Sequence, residues 1–200
     1  MNYLYIPCIL KETSEGTARY NIVDELFKQR QIFCIGEIGS ELAAAITMQL
    51  RYLDMTAPGT EINMFIDSPG GEVQAGLAIY DAMRAIESPV RTICTGRAAS
   101  MGALLFAAGD KRDILPHAAV MIHDPLIPGG IGGSALKIDS TARNIMKTRE
   151  ITAGILGKHT GRSLEEIYKK TAADSCFDAE EAVAWGLADR IITTFREVAA

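Results

Sequence analysis

Ser100 stands in the heptapeptide G-R-A-A-S-M-G, residues 96–102, flanked by small residues and followed by the apolar run A-L-L-F-A-A at 103–108. A hydroxyl at a tight strand-to-helix turn is placed for nucleophilic attack. The N–H groups of Met101 and Gly102, at the start of the helix, would stabilise a developing oxyanion there. The same serine also reads as an ordinary helix N-cap. His123 closes the apolar run A-V-M-I-H and precedes Asp124-Pro125, so its imidazole lies at a strand end, where it serves either as a base or as a structural side chain. Asp174 is the single carboxylate of the irregular stretch 172–177. Serine, histidine and aspartate in this chain order suit a nucleophile, its base and the group that orients the base. Such triads are defined by geometry and occur in several chain orders, so spacing alone leaves the reading open.

These residues need elements to hold them, and the hydrophobic pattern supplies a repeated strand-helix alternation. Apolar strands are expected at 32–36, 62–66, 90–94, 113–115 and 119–123. Helices are expected at 40–55, with Leu42, Ala45, Ile46, Leu50 and Leu53 on one stripe, at 74–86, and in the buried run after Ser100. D-S-P-G-G at 67–71 follows the second strand. Its Gly70-Gly71 pair is either a plain turn or a place where backbone N–H groups approach a ligand closely. Ser100 and this glycine turn both fall at C-terminal ends of strands, where α/β folds bind ligands.

After His123, P-L-I-P-G-G-I-G-G at 125–133 is too rich in glycine and proline for helix or central strand. A long helix is expected at 134–159, ending at Gly161; a helix of that length in a small domain projects toward a partner. S-L-E-E at 163–166 and D-A-E-E at 178–181 have the form of capping boxes that start two further helices. The apolar arm 3–10 and the polar stretch 11–20 read either as a docking or gating element or as frayed, and the sequence alone favours fraying.

Composition bounds the function. The 200 residues are 48% hydrophobic and 22% charged with net charge −5, the profile of one soluble domain with a sizeable core. No concentrated basic surface argues for nucleic acid or an anionic membrane, and no apolar run approaches a membrane span. Cys8, Cys34, Cys94 and Cys176 are scattered without metal-type spacing, as expected for reduced thiols in the cytoplasm. The first ten residues lack the basic region and cleavage site of a secretory signal.

D-S-P-G-G, G-R-A-A-S-M-G-A-L-L-F-A-A-G, L-P-H-A-A-V-M-I-H-D-P, K-T-R-E, H-T-G-R-S-L-E-E-I and A-E-E-A-V-A-W-G-L-A-D together resemble ClpP, the proteolytic subunit of the ATP-dependent Clp protease, over nearly the whole chain. The resemblance implies an α/β fold, the ClpP/crotonase-like spiral of strand-helix units with a protruding handle helix (region 125–160). It also implies a single peptidase domain whose residues 1–20 form an N-terminal arm or axial loop. Carried over by position, Ser100 is the nucleophile, His123 the base, Asp174 the orienting carboxylate, and Gly71 and Met101 the oxyanion-hole donors. Unfolded polypeptide would bind as an added strand between Gly70, Gly71, Glu72 and Val73 on one side and the loop beginning at Leu126 on the other. The family assembles two stacked seven-membered rings served by an AAA+ unfoldase of the ClpX, ClpA or ClpC kind. That ATPase uses the ATP, so no cofactor is expected on this chain.

The sequence departs from the family pattern where rings meet and where the ATPase docks. An Asp-Arg pair usual before the catalytic aspartate is Ala172-Ala173 here, Asp124 stands where glutamine is typical, and Asn63 replaces a tyrosine of the ATPase-docking pocket. A carboxylate next to the base would favour its protonated form if turned inward; exposure to solvent is the other reading. These departures suggest a divergent second paralogue, weakly active alone and completed in a mixed assembly. Two other readings are a non-catalytic ring subunit, which usually lacks a triad member, and a crotonase-type acyl-CoA enzyme, which would not need Ser100 or His123.

Overall fold

The computed structural model describes residues 7–14, 16–127 and 129–198. Residues 1–6 and 15 of the expected arm lie outside them. The described remainder of the arm is a hairpin rather than frayed chain. Strands β1 (Cys8–Thr13) and β2 (Gly16–Asn21) pair antiparallel from Cys8 opposite Asn21 to Thr13 opposite Gly16. Gly16 turns the chain at φ +118, which a β-carbon would resist. Asn21 then caps α1 (Ile22–Lys28), its Oδ1 accepting the Val23 N–H at 2.8 Å.

The body is a parallel sheet wound with helices. β3 (Gln31–Ile35), β4 (Ile62–Ser68) and β5 (Val90–Ala99) lie side by side, connected through α2 (Ser40–Thr56) and α3 (Val73–Ala85). One sheet face carries Ile32, Cys34, Met64, Ile66 and Cys94 into a core completed by Ile46, Leu50, Ile79 and Met83 of the two helices. The other face carries Phe33, Phe65 and Ile93, over which the C-terminal segment lays Ile192 and Val198.

β5 is the element that makes the site possible, and it is longer than its apolar run suggested. Its first half, Arg91 to Cys94, pairs with β6 (Lys111–Ile114), and its second half, Arg97 to Ala99, pairs with β7 (Ala119–Ile122) on the same edge. A bulge separates the halves: Ile66 of β4 faces Cys94, yet Ser68 faces Ala98. Asp67 holds the bulge by accepting the Arg97 N–H at 2.9 Å. Gly96 is required there, because a β-carbon would lie 2.7 Å from Asp67 Oδ1. The extra twist of a bulge re-aims the strand end, and α4 (Met101–Ala107), every residue of it buried, follows directly.

α5 (Ala135–Thr160) matches the expected long helix, with Ser134 as N-cap and Gly161 closing it in the left-handed conformation. Its 26 residues span about 39 Å. Only Ala153 and Leu156 are buried, so its N-terminal part stands clear of the body. α6 (Leu164–Thr171) and α7 (Ala179–Trp185) start at the two expected capping boxes. The segment between them, read as irregular, contains β8 (Ser175–Phe177), antiparallel to β7. β9 (Arg190–Ile191) completes the sheet beside β6.

Candidate active site

Three strand ends deliver the three side chains. Ser100 follows β5 and donates its backbone N–H to Met121 O at 2.8 Å, which fixes it beside β7. His123 follows the last residue of β7. In the antiparallel pairing of β7 with β8, Ile122 faces Ser175, so one further step sets His123 opposite Asp174. His123 Nε2 lies 2.9 Å from Ser100 Oγ and Nδ1 lies 3.2 Å from Asp174 Oδ1. The tautomer that satisfies both contacts carries its proton on Nδ1, donated to Asp174, and leaves Nε2 to accept from the serine hydroxyl. The imidazole is largely covered, at 15% side-chain exposure, whereas the Asp174 carboxylate is 72% exposed.

Ser100 holds the N-cap position of α4 without capping it. Its side chain makes no capping bond, and its backbone sits at φ 55, ψ −120. A non-glycine residue there costs on the order of 1–3 kcal/mol. The surrounding glycines accommodate the turn. A β-carbon on Gly70 would lie 2.7 Å from both Ala99 O and Ser100 Cβ, and one on Gly71 would lie 2.2 Å from Ile38 O.

The same neighbourhood decides which backbone donors remain available. Ile38 bridges the Gly70-Gly71 turn in parallel fashion: its N–H reaches Gly70 O and its carbonyl accepts the Glu72 N–H, each at 2.8 Å. In such a bridge the central residue, Gly71, points its own N–H to the opposite edge. The Gly70 N–H is engaged by Ser68 Oγ at 3.0 Å, and that hydroxyl donates to Gly36 O at 2.6 Å. Ser68, fully buried, is a positioning residue that sequence reasoning missed; a serine heading a P-G-G turn was its signal. Met101 opens α4, whose first intrahelical bond runs from Leu104 N–H to Ser100 O, so the Met101 N–H has no partner within the helix.

Beside Ser100 is a small apolar hollow of about 30 Å³, lined by Val73, Leu104, Ile122, Pro125, Thr152 and Leu156. Val73 and Pro125 line the hollow, and Leu126, next to Pro125, is 61% exposed. Glu72 is exposed at the mouth of the turn. A serine, an imidazole, a carboxylate, the nearby backbone N–H groups of Gly71 and Met101 and an apolar hollow are parts that an acyl transfer can use.

A family model of the Clp protease matches residues 14–195. The chain belongs to the Clp protease family. The mixed α/β architecture around a parallel sheet is that of this family, and membership makes the chain a ClpP-type peptidase with a family-type oligomeric assembly.

Two of the departures from the family pattern now have a structural meaning. The Asp124 carboxylate, about one-third exposed at 33%, spends its bonds on Arg149 and Thr171 rather than on the imidazole. Its Oδ2 accepts Arg149 Nε–H at 2.6 Å and its Oδ1 accepts the Thr171 hydroxyl at 2.5 Å. Asn63 lies in a hollow of about 750 Å³ on the far face of the sheet, walled by Leu26, Phe33, Ile35, Phe65, Phe195 and Val198. Its Oδ1 is buried there without a hydrogen-bond partner among the described residues.

Proposed function

We propose that the chain is a serine endopeptidase that cleaves unfolded polypeptides through an acyl-enzyme formed on Ser100. The observation that carries the proposal is the continuous hydrogen-bond path from Ser100 through His123 to Asp174 within a single subunit. His123 takes the hydroxyl proton as Ser100 attacks the peptide carbonyl. The oxyanion is received by Gly71 and Met101 N–H, and the leaving amine recovers the proton from His123. Water, deprotonated by the same base, then releases the acyl group. No step calls for a cofactor. An extended substrate adds as a strand beside Gly70 to Val73, where the free edge at Gly71 offers main-chain partners.

The proposed assembly is two stacked seven-membered rings around a closed chamber in the cytoplasm, formed by this chain alone or with a related subunit. The projecting part of α5, with Leu136, Ile138 and Met146 exposed, supplies apolar surface for a ring-to-ring contact. The hollow around Phe33, Phe65 and Phe195 is the proposed dock for the AAA+ ATPase, which supplies the unfolding work. Among the described residues no helix is long and apolar enough to cross a membrane.

Labelling with a fluorophosphonate, followed by mass analysis and size exclusion, tests the proposal. A single adduct on Ser100, lost in Ser100→Ala and carried in a particle of many subunits, is the expected result. Absence of labelling in a fully assembled particle would sink it. Labelling that appears only after a second ClpP-type subunit is added would instead establish the mixed assembly.

A further inference from the structure

Asp174 is held in place by little of its own. Its carboxylate is mostly exposed and its described bond is the one to His123. The two residues before it, Ala172 and Ala173, carry no polar side chain that could anchor the segment. The chain leading to Asp174 leaves α6 at Thr171, three residues upstream, and it is there that the structure fastens it. Thr171 O accepts the Asp124 N–H at 2.8 Å, and the Thr171 hydroxyl donates to Asp124 Oδ1 at 2.5 Å. The other carboxylate oxygen of Asp124 takes the Arg149 Nε–H at 2.6 Å, and the Arg149 guanidinium lies 4.0 Å above the centre of the Tyr168 ring on α6.

Asp124 is the residue after His123, Thr171 lies at the end of the helix that leads to Asp174, and Arg149 belongs to α5. One carboxylate therefore ties the base, the origin of the orienting carboxylate and the long helix together. We infer that Asp124 and Arg149 are positioning residues that set the His123–Asp174 alignment and make it depend on where α5 sits. This inference rests on the serine peptidase reading above.

A carboxylate is the best fit to the clamp. It accepts from the Arg149 Nε–H and the Thr171 hydroxyl at once and pairs with the guanidinium charge. An asparagine at 124 keeps one acceptor for Arg149 and turns its NH2 to the Thr171 hydroxyl, which then accepts, so the charge pairing with Arg149 is lost. Arg149 is also shape-specific: it bonds through Nε while its plane stacks on Tyr168, and a lysine can supply the charge but not both contacts. A misalignment near 1 Å in a base can cost on the order of a hundredfold in rate.

The test compares wild type with Asp124→Asn, Arg149→Met and Arg149→Lys, each confirmed to reach the wild-type assembly by size exclusion. Two quantities are read: the rate of fluorophosphonate labelling of Ser100, and the His123–Asp174 separation in crystal structures of the same proteins. The expected result is labelling slowed about tenfold or more in Asp124→Asn and Arg149→Met, partial recovery in Arg149→Lys, and a widened His123–Asp174 gap in the slow variants. With a short peptide substrate the loss is expected in kcat, with KM little changed, which a purely structural role would not single out. Wild-type labelling rates in well-assembled variants would overturn the inference. If wild type fails to label both alone and with a second ClpP-type subunit, the peptidase reading has failed, and the crystal structures still decide the clamp: an unchanged His123–Asp174 contact in Arg149→Met rejects it, and a lost contact supports it.

Discussion

His123 and Asp174 face each other because they continue the antiparallel register of two short strands, one step beyond the Ile122–Ser175 pair. Base and orienting carboxylate, 51 residues apart in the chain, are thus set by a strand pairing of three residues a side. The Asp174 carboxylate makes its described bond to the imidazole and is 72% exposed, so it contributes little to the fold. Asp174→Asn should therefore leave the thermal midpoint within about 2 °C of wild type, as substitutions on exposed surface usually do. Peptide hydrolysis should fall about 10²–10⁴-fold, because an amide no longer holds the imidazole in the productive tautomer. Steady-state kinetics and a melting curve on the same sample check both halves.

The two glycines beside Ser100 carry a different kind of expectation. Gly71→Ala sets a methyl 2.2 Å from Ile38 O at φ +155, so the turn must shift, and with it the N–H assigned to the oxyanion. Backbone strain of this type costs about 1–3 kcal/mol, and in a domain of this size each kcal/mol lowers the midpoint by roughly 2–4 °C. Loss of one oxyanion donor adds about 10²–10³ in kcat. A variant that melts lower yet hydrolyses peptide at the wild-type rate would remove Gly71 from the oxyanion hole.

His159 sets an acid limit on stability. Burial first, then the cations Arg84, Lys158 and Arg112, push its pKa from 6.5 down to about 4. Its Nε2 lies 3.3 Å from Tyr80 Oη, a contact that suits the neutral ring as acceptor of the phenol proton. Between about 6.5 and 4 the unfolded chain binds a proton that the folded chain excludes, so unfolding gains as pH falls through that window and stability is lost there. His159→Phe preserves an aromatic edge against Tyr80 and removes the titration. Denaturant unfolding from pH 7 to 4 should give a shallower decline for the variant than for wild type; parallel curves would show that His159 is not a source of the acid sensitivity.

What could be read in advance followed the density of local signal. Ser100 and Gly70-Gly71 were legible because small residues cluster where a backbone must turn sharply, and α5 was legible from its length, its Ser134 cap and Gly161. Asp174 could be placed only by likeness to a family, since nothing local in A-A-D-S-C-F marks its role. The far half of β5 was hidden because Gly96 and the alanines around it read as turn, while the bulge that keeps them in the sheet depends on Asp67 in another strand. The hairpin of β1 and β2 was hidden because its second strand, G-T-A-R-Y-N, is mostly polar and exposed and shows no clean apolar alternation. The partners of Asp124 lie 25 and 47 residues away, and no local pattern announces such a pairing.

The hollow beside Ser100 leads to an expectation about cleavage preference. At about 30 Å³ and lined by Val73, Leu104, Ile122, Pro125, Thr152 and Leu156, it accepts little more than a methyl or short aliphatic group. Small apolar side chains should therefore be favoured on the acyl side of the cut bond, over aromatic ones, by about 10–200-fold in kcat/KM, the range open to a fitted apolar pocket. Thr152 is the lining residue to change. It sits on α5, is only part-buried, and spends its hydroxyl on Thr148 O and Arg149 O of its own helix. Thr152→Ala should widen the pocket and narrow the gap between alanine and leucine substrates while leaving the alanine rate close to wild type, since no member of the hydrogen-bond path is disturbed. Fluorogenic peptides differing only at that position give the ratio directly. An equal fall for every substrate would mean that Thr152 supports the helix near Arg149 rather than shaping the pocket.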